Sequence, residues 1–340
     1  MSNSPLLQIQ NLTVAFPTED GPACAINHLS LDIQPGEVLG LVGESGCGKS
    51  MTSLATLRLI PSPGYIASGT IHFKGQDLLK LNSEAMRKIR GAEIALIPQD
   101  PLTSLNPVYT IGDQIVEVLQ LHQGLSKDAA RKRAAELLDM VRIPNSKERL
   151  DDYPHQFSGG MRQRVMIAMA LSCTPALLIA DEPTTALDVT VQAQILELLR
   201  EIRREHQTAI MLITHDLGVV AEMCDEVAVM YAGRVVEKAK VLDLFKEPKH
   251  PYTWGLLESL PTMNRSRLQP IEGQPPSITE IPEGCTFEPR CSKRMPICKT
   301  KFPLAAEEGP NHQVCCYLYP GSYHSEQSQD QTPPATALSS

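Results

Sequence analysis

An apolar segment runs directly into a glycine-rich loop in the first fifth of the chain. VLGLV at 38–42 has the continuous hydrophobicity of a buried strand, and GESGCGKS follows at 43–50. The spacing G-x-x-x-x-G-K-[ST] is met by Gly43, Gly46, Gly48, Lys49 and Ser50. Such a loop points backbone N–H groups and a helix N-terminus at phosphate oxygens, while Lys49 reaches the phosphates and Ser50 binds Mg²⁺. The segment therefore predicts a phosphate-binding loop, for which a merely flexible glycine loop is the alternative.

Two adjacent acids end a second apolar run, ALLIADEP, at 176–183. Asp181 stands at the end of the predicted strand, where its carboxylate can help to hold Mg²⁺. Glu182 beside it can act as general base for an attacking water. A solvated strand end would look the same in isolation, and the phosphate-binding loop favours the catalytic interpretation.

Strand and helix patterns alternate through the middle of the chain. Strands are predicted at LQIQNLTVAF, HLSLDIQ, ALLIA and IMLIT, with helices at about 112–122, at 127–141 after a Ser126 cap, after FSGG, and after a Thr190 cap. This alternation predicts an α/β core with a mainly parallel sheet. From about Pro261 onward proline and glycine replace periodicity, and residues 320–340 have a disordered composition.

Composition excludes several classes of protein. A formal charge of -8 and a pI near 5.6 leave no basic footprint, so nucleic acid is not an expected partner. No apolar run approaches the roughly 18–20 residues that span a bilayer, and the first residues do not resemble a signal peptide. We therefore expect a cytosolic protein, in which nine cysteines are thiols or metal ligands rather than a disulfide framework.

Further motifs resemble those of the ATP-binding cassette (ABC) family. FSGGMRQR at 157–164 is similar to its signature sequence, with Ser158, Gly159 and Gly160 intact. Gln99, Asp188 and His215 stand where the family has its Q-loop, D-loop and switch histidine. Phe16 stands where an aromatic ring packs on adenine. The resemblance extends the nucleotide contacts to Ser45, Cys47 and Met51, and places Gln99 with Ser50 and Asp181 around Mg²⁺.

The resemblance implies an architecture and a mechanism. It implies a P-loop NTPase cassette at 1–250, with a RecA-like core, a β subdomain and an inserted helical subdomain at about 100–157. Two cassettes sandwich ATP head to tail, so that each site uses the loop of one subunit and the signature of the other. Glu182, His215 and Gln99 are then the catalytic residues.

Longer segments, including IPQDPLTSLNPVYTIGDQI and HPYTWGLLESLP, resemble the D-type ATPase of bacterial dipeptide and oligopeptide importers. The implied partners are an F-type ATPase subunit in a heterodimer, two membrane-spanning permease subunits and an extracytoplasmic peptide-binding protein. The implied location is the cytoplasmic face of the inner membrane. Alternatives are a soluble non-transport ABC ATPase, or a related importer of nickel chelates, glycosides or antimicrobial peptides.

The C-terminal part is rich in cysteine. The resemblance implies a small irregular extension at 251–319, in which Cys285, Cys291, Cys298 and Cys316 bind a [4Fe-4S] cluster. Their spacing fits neither common zinc sites nor ferredoxins, so the identity of the metal rests on the resemblance, and zinc stays open. Cys315 in place of Cys316 is a second alternative, because Cys316 matches only when VCCYL is aligned on its valine, and cysteines that bind no metal are a third. Cys47 is a separate case: its place in the loop at a helix N-terminus predicts a lowered thiol pKa and a reactive side chain.

Overall fold

The computed structural model describes residues 4–185, 187–259 and 271–324. The chain forms two compact units that alternate along the sequence. The first unit contains residues up to Leu7, Asp32–Val38 and His72–Ile213. The second contains Gln8–Leu31, Leu39–Ile71 and the chain from Thr214 onward.

Strands and helices alternate through the middle of the chain, as predicted. The strands are β1 (Leu7–Thr18), β2 (Gly21–Ile33), β3 (Val38–Val42), β4 (Tyr65–Phe73), β5 (Gln76–Asp77), β6 (Ile94–Ile97), β7 (Leu177–Asp181), β8 (Ala209–Thr214), β9 (Glu226–Tyr231), β10 (Arg234–Lys240), β11 (Ala306–Glu307) and β12 (Gln313–Val314). The helices are α1 (Lys49–Thr56), α2 (Ser83–Ile89), α3 (Pro101–Ser104), α4 (Ile111–Gln123), α5 (Lys127–Met140), α6 (Ser146–Arg149), α7 (Gly159–Leu171), α8 (Val189–His206), α9 (Leu217–Met223), α10 (Val241–Lys246) and α11 (Pro251–Glu258).

The first unit is built on three parallel strands. β7 lies between β6 and β8 and pairs in register with both. All residues of β7 and β8 are buried, which explains why their sequences are continuously apolar instead of alternating. Asp181 is the last residue of β7, so this parallel arrangement places it at the carboxyl edge of the strands.

Helices α4, α5 and α7 pack on one another in the same unit. The predicted helices at 112–122 and 127–141 are confirmed, because α4 and α5 match them to within one residue at each end. Ser126 caps α5 as predicted, with its side chain accepting a hydrogen bond from the Ala129 N–H. The buried residues of α5 recur three to four positions apart, as a core-facing helix requires. Between residues 100 and 157 the described backbone contains helices and turns but no strand.

The second unit contains two sheets. In one, β1 lies between β2 and β4. In the other, β9 lies between β3, to which it is parallel, and β10, to which it is antiparallel. β12 pairs antiparallel with β10, and β11 pairs with β12. Two short segments of the C-terminal extension thus add strands to a sheet edge. The prediction that the extension is irregular is wrong for these segments.

The C-terminal segment is anchored by a helix and by aromatic packing. α11 begins at Pro251, and the side chain of His250 accepts a hydrogen bond from the Tyr252 N–H at its N-terminus. The rings of Tyr231, Tyr252 and Phe287 pack with centroids 4.7 to 5.3 Å apart. At the start of the tail predicted to be disordered, Pro320–Ser322 form a 3-10 turn in which Ser322 is buried. The rest of that prediction, residues 325–340, lies outside the described residues.

Across the described ranges, no helix combines the length and the hydrophobicity needed to cross a membrane.

Candidate functional site

The glycine-rich loop connects β3 to α1 in the second unit and needs its glycines for two reasons. Gly48 has φ +106°, and a Cβ there would lie 2.8 Å from the Ala25 carbonyl oxygen. A Cβ on Gly43 would lie 2.2 Å from the Met230 carbonyl oxygen. Both positions therefore exclude larger residues by space, and the positive φ of each glycine, +154° at Gly43 and +106° at Gly48, also disfavours a side chain. Gly46 lies in open space at the exposed tip, next to exposed Ser45.

The Lys49 side chain folds back onto the backbone of the loop. Its side chain is buried, and its Nζ donates to the Gly43 carbonyl at 2.7 Å and to the Glu44 carbonyl at 3.0 Å. Ser50 is exposed and Met51 is half-buried in the first turn of α1. The loop thus presents a lysine, a hydroxyl and a helix N-terminus within a few residues, which is the donor set that binds phosphate.

Cys47 does not have the predicted properties. Its side chain is only 3% exposed, and burial raises the pKa of its thiol, although nearby Lys49 opposes that shift. The prediction of a lowered pKa is wrong, because desolvation of the thiolate outweighs the helix terminus and the lysine charge.

Two other predicted residues lie in the second unit. The half-buried ring of Phe16 packs on Gly64, where a Cβ would come within 2.5 Å of the ring. His215 is exposed directly after β8. Both are side chains that a bound molecule can reach from solvent.

The first unit brings Gln99 and Glu182 together. The Gln99 Nε2 donates to Glu182 Oε2 at 2.9 Å, across 83 residues of sequence. Thr185 Oγ1 donates to the same oxygen at 2.9 Å, a contact that the sequence did not indicate. Glu182 also has φ +47°, a strained conformation for a residue with a side chain. The half-buried carboxylate is thus oriented by two donors, as a general base requires.

Oxygen donors suited to Mg²⁺ stand at the three predicted positions. Asp181 and Gln99 lie in the first unit and Ser50 in the second. Because the Gln99 nitrogen donates to Glu182, its amide oxygen is the atom that can bind a cation. Carboxylate, amide and hydroxyl oxygens are the ligands that Mg²⁺ prefers, so each of the three side chains carries an atom of the kind that binds the ion.

The signature segment forms an exposed helix N-terminus in the first unit. Ser158 caps α7, with its Oγ accepting from the Met161 N–H at 3.3 Å. A Cβ on Gly159 would meet nothing within 4 Å, whereas one on Gly160 would lie 2.7 Å from Val191. Ser158 and Gly159 are therefore accessible to a phosphate from outside the chain.

Asp188 has a structural task that the sequence did not predict. Its Oδ1 accepts a hydrogen bond from the Val191 N–H at 2.9 Å and caps α8. The predicted Thr190 cap is wrong, because Thr190 already lies within the helix.

The four predicted cluster cysteines belong to two apolar clusters of the second unit. Cys285, Cys291 and Cys298 pack in one and Cys316 in the other, and Met295 packs against both. Burial raises the pKa of Cys285 to about 12 and of Cys291 to about 11, and it also raises the pKa of Cys298 and Cys316. The negative charges of the other three raise the pKa of Cys316 further.

Cys315 belongs to a different environment. Burial raises its pKa to about 12 too, but the charge acting on it is that of Arg234, not of the other cysteines. Burial keeps the other four thiols protonated, and a bound cation would deprotonate them, so sulfur donors of this kind suit a metal group. In the described part of the chain, however, no three His, Cys, Asp or Glu side chains are arranged so that they could hold a metal ion.

Comparison with known proteins decides the family. A family model described as "ABC transporter" matches residues 26–185, and one described as "Oligopeptide/dipeptide transporter, C-terminal region" matches 236–298. The "Dipeptide transport ATP-binding protein DppD" of Bacillus subtilis (strain 168) is 51% identical over 316 residues, which cover 92% of this chain and 94% of the relative. This chain belongs to the ABC transporter family.

Other members of the family agree. The "Oligopeptide transport ATP-binding protein OppD" of Salmonella typhimurium is 51% identical over 312 residues, covering 91% of this chain and 93% of that protein. Among solved structures, the ATP-binding cassette MJ0796, in a dimeric post-hydrolysis state bound to ADP and Pi, has a TM-score of 0.63 at 27% identity. The matched region covers 69% of this chain and 98% of the MJ0796 chain. The predicted ABC cassette fold is therefore confirmed.

Proposed function

We propose that this chain is the ATP-hydrolysing subunit that energises a dipeptide or oligopeptide importer. One observation carries the proposal: a phosphate-binding loop and a peptide-transporter C-terminal region occur in one chain, whose relatives at about half identity are peptide transport ATP-binding proteins. A soluble ABC ATPase would not require the C-terminal region. That alternative is not favoured.

In the proposed reaction, the loop at 43–50 holds the phosphates of ATP, and Ser158, Gly159 and Gly160 of a second cassette contact the γ-phosphate. Phe16 packs on the adenine. Glu182 accepts a proton from a water molecule whose oxygen attacks the γ-phosphorus, the bond to the ADP oxygen breaks, and phosphate leaves. Gln99 and Thr185 support this role because both hold the Glu182 carboxylate in one orientation.

Other residues complete the site in this proposal. His215 contacts the γ-phosphate, and Asp188 lies at the interface between the cassettes. Ser50, Asp181 and Gln99 would hold Mg²⁺, which supplies positive charge against the phosphates when bound. Ser45, Cys47 and Met51 contribute through their places in the loop and the first turn of α1.

The partners follow from the transport role. Two membrane-spanning permease subunits and an extracytoplasmic peptide-binding protein complete such an importer, and this chain binds the permeases at the cytoplasmic face of the inner membrane. We further propose that the second cassette is an F-type ATPase subunit in a heterodimer. The exposed helix N-terminus at Ser158 supports a site shared between two cassettes.

The test is peptide uptake by the complete transporter in proteoliposomes. Lys49→Ala should abolish ATP-driven uptake of a labelled di- or oligopeptide, because the buried lysine is the cation of the phosphate-binding loop. The control Lys80→Ala removes a lysine whose side chain is 83% exposed and should leave uptake unchanged. Uptake that survives Lys49→Ala, or that needs no ATP in the unaltered transporter, would contradict the proposal.

We also propose that Cys285, Cys291, Cys298 and Cys316 bind a [4Fe-4S] cluster. The packing of Cys285, Cys291 and Cys298 in one apolar cluster supports it, and so does the hydrogen bond from the Cys285 N–H to the Cys298 carbonyl at 2.7 Å. The charges of these three cysteines act on Cys316 and not on Cys315. Protein purified without oxygen should contain about four irons and four acid-labile sulfides per chain. Cys316→Ser should lower this content and Cys315→Ser should not. Zinc without sulfide would replace the metal, and no metal would refute the proposal.

A further inference from the structure

Two residues of the C-terminal segment, Arg290 and Tyr252, form hydrogen bonds to Glu44 of the phosphate-binding loop. The Glu44 carboxylate accepts from Arg290, with Oε2 2.6 Å from Nη1 and Oε1 3.0 Å from Nη2. The Glu44 backbone N–H donates to the Tyr252 hydroxyl at 2.9 Å. These partners lie 246 and 208 residues away in sequence, yet all three residues belong to the second unit.

The ion pair is built to be rigid. The Arg290 side chain is only 5% exposed and that of Glu44 27% exposed, so water screens the pair weakly. Arg290 is itself held in place, because its Nε donates to the Glu272 carbonyl at 2.9 Å and its Nη1 to the Tyr231 hydroxyl at 3.3 Å. A bidentate pair between a fixed guanidinium and a carboxylate fixes both position and orientation.

The hydroxyl contact is equally fixed. Tyr252 is fully buried in α11, and its ring packs against Tyr231 and Phe287. A ring held on several sides keeps its hydroxyl at one point, so the Glu44 N–H has a constant acceptor. The packed rings of Tyr231, Tyr252 and Phe287 therefore position both partners of Glu44. Tyr252 is itself one of these rings, and Arg290 is held by its hydrogen bond to the Tyr231 hydroxyl.

Glu44 in turn shapes the loop. Its carbonyl oxygen accepts from Lys49 Nζ at 3.0 Å and from the Cys47 N–H at 3.3 Å. Every polar group of Glu44, in the backbone and the side chain, thus has a hydrogen-bond partner. Two of the four partner residues lie outside the loop and two lie inside it. Moving Glu44 would move the acceptor of the lysine that is proposed to contact the phosphates.

We propose that Arg290 and Tyr252 are positioning residues for nucleotide binding: by holding Glu44, the C-terminal segment keeps the loop at 43–50 in its phosphate-binding shape. This proposal rests on the proposed function, namely that the loop binds ATP. A buried ion pair by itself is weak evidence for stability, and its better-supported use is to select one conformation. Here the conformation selected is that of the loop.

The experiment measures the equilibrium affinity of the full-length chain for MgATP by isothermal titration calorimetry. Arg290→Gln should weaken binding about tenfold, equivalent to about 1.4 kcal/mol of lost preorganisation. Arg290→Lys keeps the positive charge but loses the two-pronged guanidinium geometry. Its affinity for MgATP should lie between those of the unaltered chain and Arg290→Gln. Arg294→Gln removes an exposed arginine from the same segment and should bind like the unaltered chain.

A double-mutant cycle separates positioning from general loosening. If Arg290 acts through Glu44, Arg290→Gln should have little further effect on ATP affinity in a Glu44→Gln background. Tyr252→Phe removes only the hydroxyl, keeps the aromatic packing, and should also weaken ATP binding. If Arg290→Gln lowers the melting temperature strongly, the ATP affinity of Tyr252→Phe tests the positioning role instead.

The outcomes are distinct. Failure of the unaltered chain to bind ATP would refute the proposed function. Normal ATP binding with unchanged affinity in Arg290→Gln and Tyr252→Phe would overturn the positioning role alone. An Arg290→Gln effect that is equally large with and without Glu44 would also overturn it, because the loss would not pass through the loop.

Discussion

Acid should destabilise this protein through His250, the residue that caps α11. His250 is buried, its Nδ1 accepts from the Tyr252 N–H at 3.1 Å, and its ring lies near Phe287. Burial lowers the pKa of this imidazole from 6.5 to about 4, against the opposing pull of the Glu237 carboxylate. The folded protein therefore keeps His250 neutral, and the neutral ring is what the cap requires.

The sign and size follow from this lowered pKa. Between pH 6.5 and about 4 the unfolded chain takes up a proton that the folded chain does not, so the stabilisation is complete above pH 6.5 and decreases as the pH falls. Each pH unit in this window changes the free energy by about 1.4 kcal/mol. The free energy of unfolding should therefore fall by about 3 kcal/mol across the window on account of His250.

The assay is urea unfolding at several pH values, for the unaltered chain and for His250→Asn. Asparagine keeps a side-chain acceptor for the cap but does not titrate. Other groups titrate equally in both proteins, so the difference in their unfolding free energies isolates His250. That difference should decline from neutral pH to pH 4. Parallel profiles would refute the reasoning, because they would mean that the folded protein protonates His250 as readily as the unfolded chain.

Three further predictions concern the site. Gly48→Ala should weaken ATP binding about tenfold or more, because a Cβ there would lie 2.8 Å from the Ala25 carbonyl oxygen. Gly75→Ala, with φ +78° and no neighbour within 4 Å, controls for backbone strain alone, and equal affinities for both variants would contradict the steric argument. Cys47 should react with iodoacetamide at neutral pH more slowly than half-buried Cys24, as followed by mass spectrometry, because it is buried and its pKa is raised; faster labelling would show that the loop opens. Gln99→Ala should slow ATP hydrolysis by the assembled transporter about tenfold through loss of Glu182 orientation, with little change in melting temperature. Exposed Thr103→Ala is its control, and an unchanged rate in Gln99→Ala would remove that role.

The sequence predicts the elements whose local signal agrees with their packing. α4 and α5 have helical periodicity and N-caps, and β7 and β8 are apolar because both faces are buried. The cap of α8 was misassigned because Asp188 and Thr190 are both good capping residues two positions apart. Local propensity does not decide between them.

The errors elsewhere have one physical origin. β11 and β12 have two residues each, too few for any periodicity; β12 pairs with the edge of β10, and β11 pairs with β12. The pKa of Cys47 depends on burial by residues distant in sequence, which no local pattern reveals. The contact between Glu44 and Arg290 also has no local signal, because the two residues lie 246 positions apart in the sequence.

The central claim is that this chain hydrolyses ATP to drive peptide import, with Glu182 as general base. Its most direct test measures ATP hydrolysis and labelled-peptide uptake together in proteoliposomes that contain the complete transporter, with the partner ATPase site disabled. The transporter with unaltered Glu182 should show both activities, whereas Glu182→Gln should bind ATP but show neither. Appreciable hydrolysis by the Glu182→Gln transporter would remove Glu182 from its role, and hydrolysis by the unaltered transporter without peptide uptake would contradict the transport function.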